Sequence, residues 1–140
     1  MMQQRNVHIP VAPVAITLLI LLSITGCTDS TCRTLSGRWS TREGQSFYFQ
    51  ENGHGLWLVR FGSKIDTFPM AYRYDCGKQP IELDLSGFET GPLAGKTLFG
   101  ILEWNSDTSF RFDAEAGTSP TVRPSTFESD QTQKFFIEKE

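Results

Sequence analysis

From Gly37 onward, short runs of alternating apolar and polar residues are separated by turn residues, most cleanly where Ile81, Leu83 and Leu85 alternate with Glu82, Asp84 and Ser86. A period of two is that of a strand with one buried and one wetted face, and no stretch sustains the 3.6-residue period of a helix. The pattern predicts about eight strands, at 37–42, 46–50, 55–62, 66–75, 80–86, 96–104, 108–113 and 134–139. The connections carry turn chemistry, with Asn52-Gly53, Gly77 to Pro80 and Asn105-Ser106-Asp107 supplying residues that tolerate or fix unusual φ. Short connections make neighbouring strands antiparallel, so the expected domain is all-β. Two stretches resist the pattern, 88–95 and 114–127, and read as loops where recognition could sit. Leu56-Trp57-Leu58-Val59 is apolar on both faces, which predicts a second contact surface around Trp57, covered by a packed terminal segment or by a partner. Counting one face of each strand places large side chains inward, among them Phe47, Phe49, Leu56, Leu58, Phe68, Met70, Leu83, Leu85, Phe110 and Phe112. A small barrel lined that way is filled by its own residues.

Ahead of this domain the pattern changes. Residues 1–10 hold one arginine and no acid, and 11–24 form an apolar run interrupted by Pro13 and ending in small residues. The run is shorter than a spanning helix needs and has the layout of a cleaved signal peptide. Ile24-Thr25-Gly26-Cys27 resembles the lipobox of bacterial lipoproteins. That resemblance implies cleavage before Cys27, acyl chains such as palmitate on its thiol and amino group, and a mature protein tethered to the membrane outside the cytoplasm. Two or three chains make such an anchor effectively permanent, at about 0.8 kcal/mol per buried methylene. Thr28, where sorted lipoproteins retained at the inner membrane carry aspartate, points to the outer membrane in cells with two membranes. The division is a signal peptide at 1–26, a lipidated cysteine and linker at 27–36, and a barrel domain at 37–140.

With Cys27 assigned to the lipid, Cys32 and Cys76 remain as a pair in a compartment where disulfides persist, and they are expected to bond. Closing a loop of that length restricts the unfolded chain by roughly 4 kcal/mol. Of the 140 residues, 13 are basic and 16 acidic; loss of 1–26 removes only Arg5 and leaves 12 basic residues against 16. The basic residues are dispersed singly, which gives no footprint for nucleic acid and no polybasic run for phosphates or anionic lipids, so neither is expected as a partner.

Leu35-Ser36-Gly37-Arg38-Trp39 is similar to the glycine-any-tryptophan signature of lipocalins, whose tryptophan plugs one end of an eight-stranded barrel. The segments 81–85, 91–103 and 123–127 look like recurring stretches of lipocalin-like extracytoplasmic domains. The resemblance implies a lipocalin-like antiparallel barrel over roughly 35–138 and carries no established activity.

Chemistry is sparse. His54, the single histidine after the leader, lies between glycines in a turn, so neither a catalytic triad nor a metal cluster is expected, and no cofactor. Glu82 and Asp84 point the same way from one strand, but alternation puts them on the solvated face as a surface pair, and Glu103 and Asp66 read likewise. Arg60, inside an apolar run, is expected to pair with an acid or stack on a ring. No nucleotide fingerprint or phosphate loop appears, so the expected protein is not an enzyme. It is expected to be a lipid-anchored envelope module that binds another macromolecule or supports an assembly. Two alternatives stand behind it: a carrier of a small apolar ligand, and an inhibitor of a wall-degrading enzyme. The last rests on Tyr72-Arg73-Tyr74-Asp75-Cys76, which is similar to a stretch of lipoprotein lysozyme inhibitors.

Overall fold

A computed structural model describes residues 32–117, 122–128 and 130–139; the apolar leader and Cys27 lie outside the described residues. Eight strands follow in order: β1 Gly37–Ser40, β2 Gln45–Phe49, β3 His54–Phe61, β4 Lys64–Asp75, β5 Ile81–Ser86, β6 Thr97–Ser106, β7 Ser109–Gly117 and β8 Gln133–Ile137. Each pairs antiparallel with its neighbours in sequence, and β8 closes on β1 through Trp39↔Ile137 and Ser40↔Phe136. The result is an all-β closed antiparallel barrel, compatible with a lipocalin-like fold, and closure removes the open sheet edges that would otherwise invite pairing with other chains. The expected strands are all present with ends shifted by a few residues. The largest shift is in β7, which runs into the stretch expected to be loop because the long β6 supplies partners as far as Leu98↔Ala116 and Thr97↔Gly117.

Register decides which face each residue takes. Phe47 and Phe49 are buried inward, and because Trp57 pairs with Phe47, Trp57 is inward too and packs 5.2 Å from the ring of Phe68. Leu56 and Leu58 therefore face outward, opposite Tyr48 and Ser46, which corrects the inward placement of both leucines and the outer placement of Trp57. A run that is apolar on both faces carries no parity of its own, and only the pairing with β2 sets it.

The interior holds a column of rings. Trp39 and Phe110 lie 5.0 Å apart, Phe110 and Phe135 5.2 Å, Phe135 and Phe47 4.9 Å, and Phe47 and Phe49 5.6 Å. Tilted and stacked pairs at these separations contribute about 0.5–1.5 kcal/mol each beyond their area burial. Leu83, Leu85, Leu102 and Met70 fill the space between the rings.

An even number of antiparallel strands puts both chain ends at one pole. Here the entry segment crosses it: Trp39 donates its indole N–H to the carbonyl of buried Leu35 at 2.8 Å, and Arg33 bonds the carbonyl of Ser106, pairs with Asp107 and lies over Trp104. Cys32 and Cys76 are joined, with Cα atoms 5.8 Å apart, tying the entry segment to the β4–β5 turn. The opposite pole is closed by the β5–β6 connection. Phe88 in this connection is buried against Trp57, and hydrogen bonds from Gly95 N to Phe88 O and from Lys96 N to Leu93 O compact it. The expected loop at 88–95 is thus a packed cap.

Candidate functional site

The wall formed by β5, β6 and β7 is covered. Alternation turns Asp84, Ile101 and Asp113 outward, yet they are 8%, 1% and 1% exposed, because residues 122–128 and Thr132 lie across them. Arg123 drives the first contact: its guanidinium donates to both Asp84 carboxylate oxygens, at 2.6 and 3.0 Å, and to the carbonyl of Gly100 at 2.6 Å. Arg73 of β4 approaches from the other side, bonding Asp84 and Glu82 at 2.8 Å. The second contact is Asp113, whose Oδ2 accepts from the backbone N–H of Glu128 at 2.9 Å and the hydroxyl of Thr132 at 3.0 Å. Beyond Asp113 on the same strand, Arg111 lies over the ring of Phe127 at 4.0 Å.

This corrects the reading of Glu82 and Asp84 as a solvated surface pair. Burial alone would push the Asp84 carboxyl up, but hydrogen bonds from Arg123 and then Arg73 outweigh it and hold the carboxyl below its usual range. Held as an anion between two guanidiniums, Asp84 has no proton to donate in a general-acid step. Alternation in β5 gave no sign of it, because the covering arginine lies 39 residues further along the chain.

The other singled-out residues are dispersed. His54 opens β3 in an exposed position, Glu103 pairs with Arg111 on the surface, and Asp66 pairs with Lys64 at 2.7 Å. Arg60 is exposed on the outer wall, and neither of its expected partners, an acid or an aromatic ring, is present among the described residues. Its stem instead lies along Gly44, whose φ of +89° lets the β1–β2 turn pass that close. Among the described residues no three His, Cys, Asp or Glu side chains are placed to hold a metal ion.

The wall formed by β8, β1, β2 and β3 carries no such cover among the described residues. Arg38, Tyr48 and Leu56 stand side by side across three strands, as do Ser40, Ser46 and Leu58. Two adjoining hollows on this wall share Arg38, Leu58 and Glu138, and the small serines line the second. One, of about 530 Å³, is lined by Tyr48, Leu56, Ile137 and Lys139; the other, of about 250 Å³, by Ser40, Arg42, Ser46, Arg60 and Ile65. Tyr48 and Ile65 are among the few large apolar side chains left exposed. Sequence reasoning reached this surface only in part: it flagged Leu56 to Val59 as apolar on both faces and Arg60 as unusual, but assigned Leu56 and Leu58 to the interior.

No family model, no curated protein and no solved structure matches this chain.

Proposed function

We propose that the protein is a non-catalytic lipoprotein of the cell envelope, tethered by acyl chains on Cys27, whose lipocalin-like barrel binds its partner through the uncovered outer wall. The observation that carries the binding half is the column of rings from Trp39 to Phe49, which occupies the axis where a carrier would hold its ligand. The address rests on Ile24-Thr25-Gly26-Cys27 closing an apolar run. The chain enters the barrel at the pole of the Cys32–Cys76 bond, and Cys32 follows Cys27 by five residues in the sequence.

The test is expression of the wild type and Cys27→Ala in a bacterial host supplied with labelled palmitate. The wild type is expected to take up label and enter the detergent phase, and the variant to do neither, accumulating as uncleaved precursor or soluble protein. Identical processing and partitioning would overturn the anchor. Titration with a fluorescent fatty acid tests the other half: saturable one-to-one uptake at micromolar concentration would restore the carrier reading.

A further inference from the structure

We propose that the smaller hollow on the outer wall is a binding site for a phosphate group carried on a short apolar chain. The proposal deepens the binding-module reading and is independent of the lipid on Cys27. Three arginines line this hollow, Arg38, Arg42 and Arg60, against one acid, Glu138, in a chain whose net charge is -3.

The groups already engaged come first. The charge of Arg38 is paired with Glu138 at 2.9 Å although its buried Nε makes no hydrogen bond, Ser40 donates to the same carboxylate, and Ser40 and Ser46 share a hydrogen bond at 2.9 Å. What is left is the donor capacity of Arg42 and Arg60, neither of which has a carboxylate partner among the described residues. Both are positioned. Arg42 lies over the ring of Phe136 at 5.4 Å, and the stem of Arg60 rests on Gly44 while its backbone N–H bonds the Gly44 carbonyl at 2.9 Å.

Both side chains line the same concave surface without a carboxylate paired to either among the described residues, so an anion seated in it would be favoured by both charges. Planar forks of N–H donors match the oxygens of a phosphate. Glu43 in the adjacent turn lines a neighbouring hollow over Phe136, which Arg42 borders as well, and is absent from the lining of this one. The remaining walls are apolar, Leu58 and the 42% exposed Ile65, and they would cover carbons attached to the phosphate. Glu138 is the built-in competitor, because it occupies the third arginine.

The test uses the full chain, isotopically labelled, in nonionic detergent at fixed ionic strength, titrated with inorganic phosphate, butyl phosphate and chloride. Amide signals of Arg42, Gly44 and Arg60 are expected to shift saturably with phosphate at millimolar concentration, and butyl phosphate to bind roughly tenfold tighter as it covers Leu58 and Ile65. Chloride is expected to produce no saturating shift. R42Q/R60Q should lose the response at an unchanged melting temperature, and Glu138→Gln, which frees Arg38, should strengthen it. Absence of saturation, or a response unchanged in the double variant, overturns the site. Equal affinity for the two phosphates overturns the apolar-chain half and assigns the site to free phosphate. Loss of the anchor in the palmitate experiment would leave these expectations unaltered.

Discussion

At Gly100 in β6 an added Cβ would fall onto the ring of Phe112 and come within 2.7 Å of the Leu83 carbonyl oxygen. The ring sits in the column's flank and the carbonyl belongs to a paired strand, so neither can give way cheaply. Gly100→Ala should therefore lower stability by about 1–3 kcal/mol, read from urea denaturation midpoints at constant slope. A change within error would mean that the Phe112 ring can shift. Asp84 makes a prediction of a different kind. Its folded carboxyl titrates below the usual value, so the stability it supplies is present above the ordinary aspartate range and is lost as pH falls through the depressed folded value. Unfolding free energy of the wild type should thus fall on acidification below about pH 4, and Asp84→Asn should flatten that fall. At neutral pH the same variant should cost about 2–4 kcal/mol, less than for a wholly buried pair because Arg73 is half exposed. Equal pH slopes in the two proteins would contradict the assignment.

Residues 122–128, with Thr132, form a strap rather than a free loop, pinned at Asp84 by Arg123 and at Asp113 by Glu128 and Thr132. Its two pins lie on different strands and share no partner, so they should fail separately. Arg123→Ala is expected to speed chymotryptic cleavage after Phe127 and hydrogen exchange in the strap, while amides of β2, β3 and β4 keep their protection. Unchanged cleavage would show that the Asp113 pin suffices alone. The eight strands could be read from local alternation and turn residues, since both act between neighbours in sequence. The strap could not, because its contacts join residues 15 to 39 positions apart and its own sequence has the Pro and Ser content of a loop.

Across the whole barrel the entry pole is fastened twice, covalently through Cys32–Cys76 and ionically through Arg33. The covalent link acts mainly on the unfolded chain, where it closes a long loop, and the exposed Arg33–Asp107 pair contributes little by comparison. Replacing both cysteines by serine should lower stability by about 2–4 kcal/mol, and a reductant should destabilise the wild type by a similar amount without affecting the variant. If reductant and substitution both leave the denaturation midpoint unchanged, the bond does not form in the folded protein.

The sequence by itself determined the all-β class, the number of strands and the aromatic filling, because period, turn chemistry and residue size are local properties, and the Cys32 and Cys76 pair, because two cysteines remain once Cys27 is set aside. Trp39 followed from its motif and does lie buried at the entry pole, against Leu35. Only the tertiary structure decided the orientation of Leu56, Trp57 and Leu58. It also decided the burial of Asp84 under Arg123 and the gathering of Arg38, Arg42 and Arg60 around one hollow. Each of these depends on which strand lies beside which, and in what register. Alternation says that successive side chains take opposite faces, but closure and long-range pairing settle which face is inside and what covers the other.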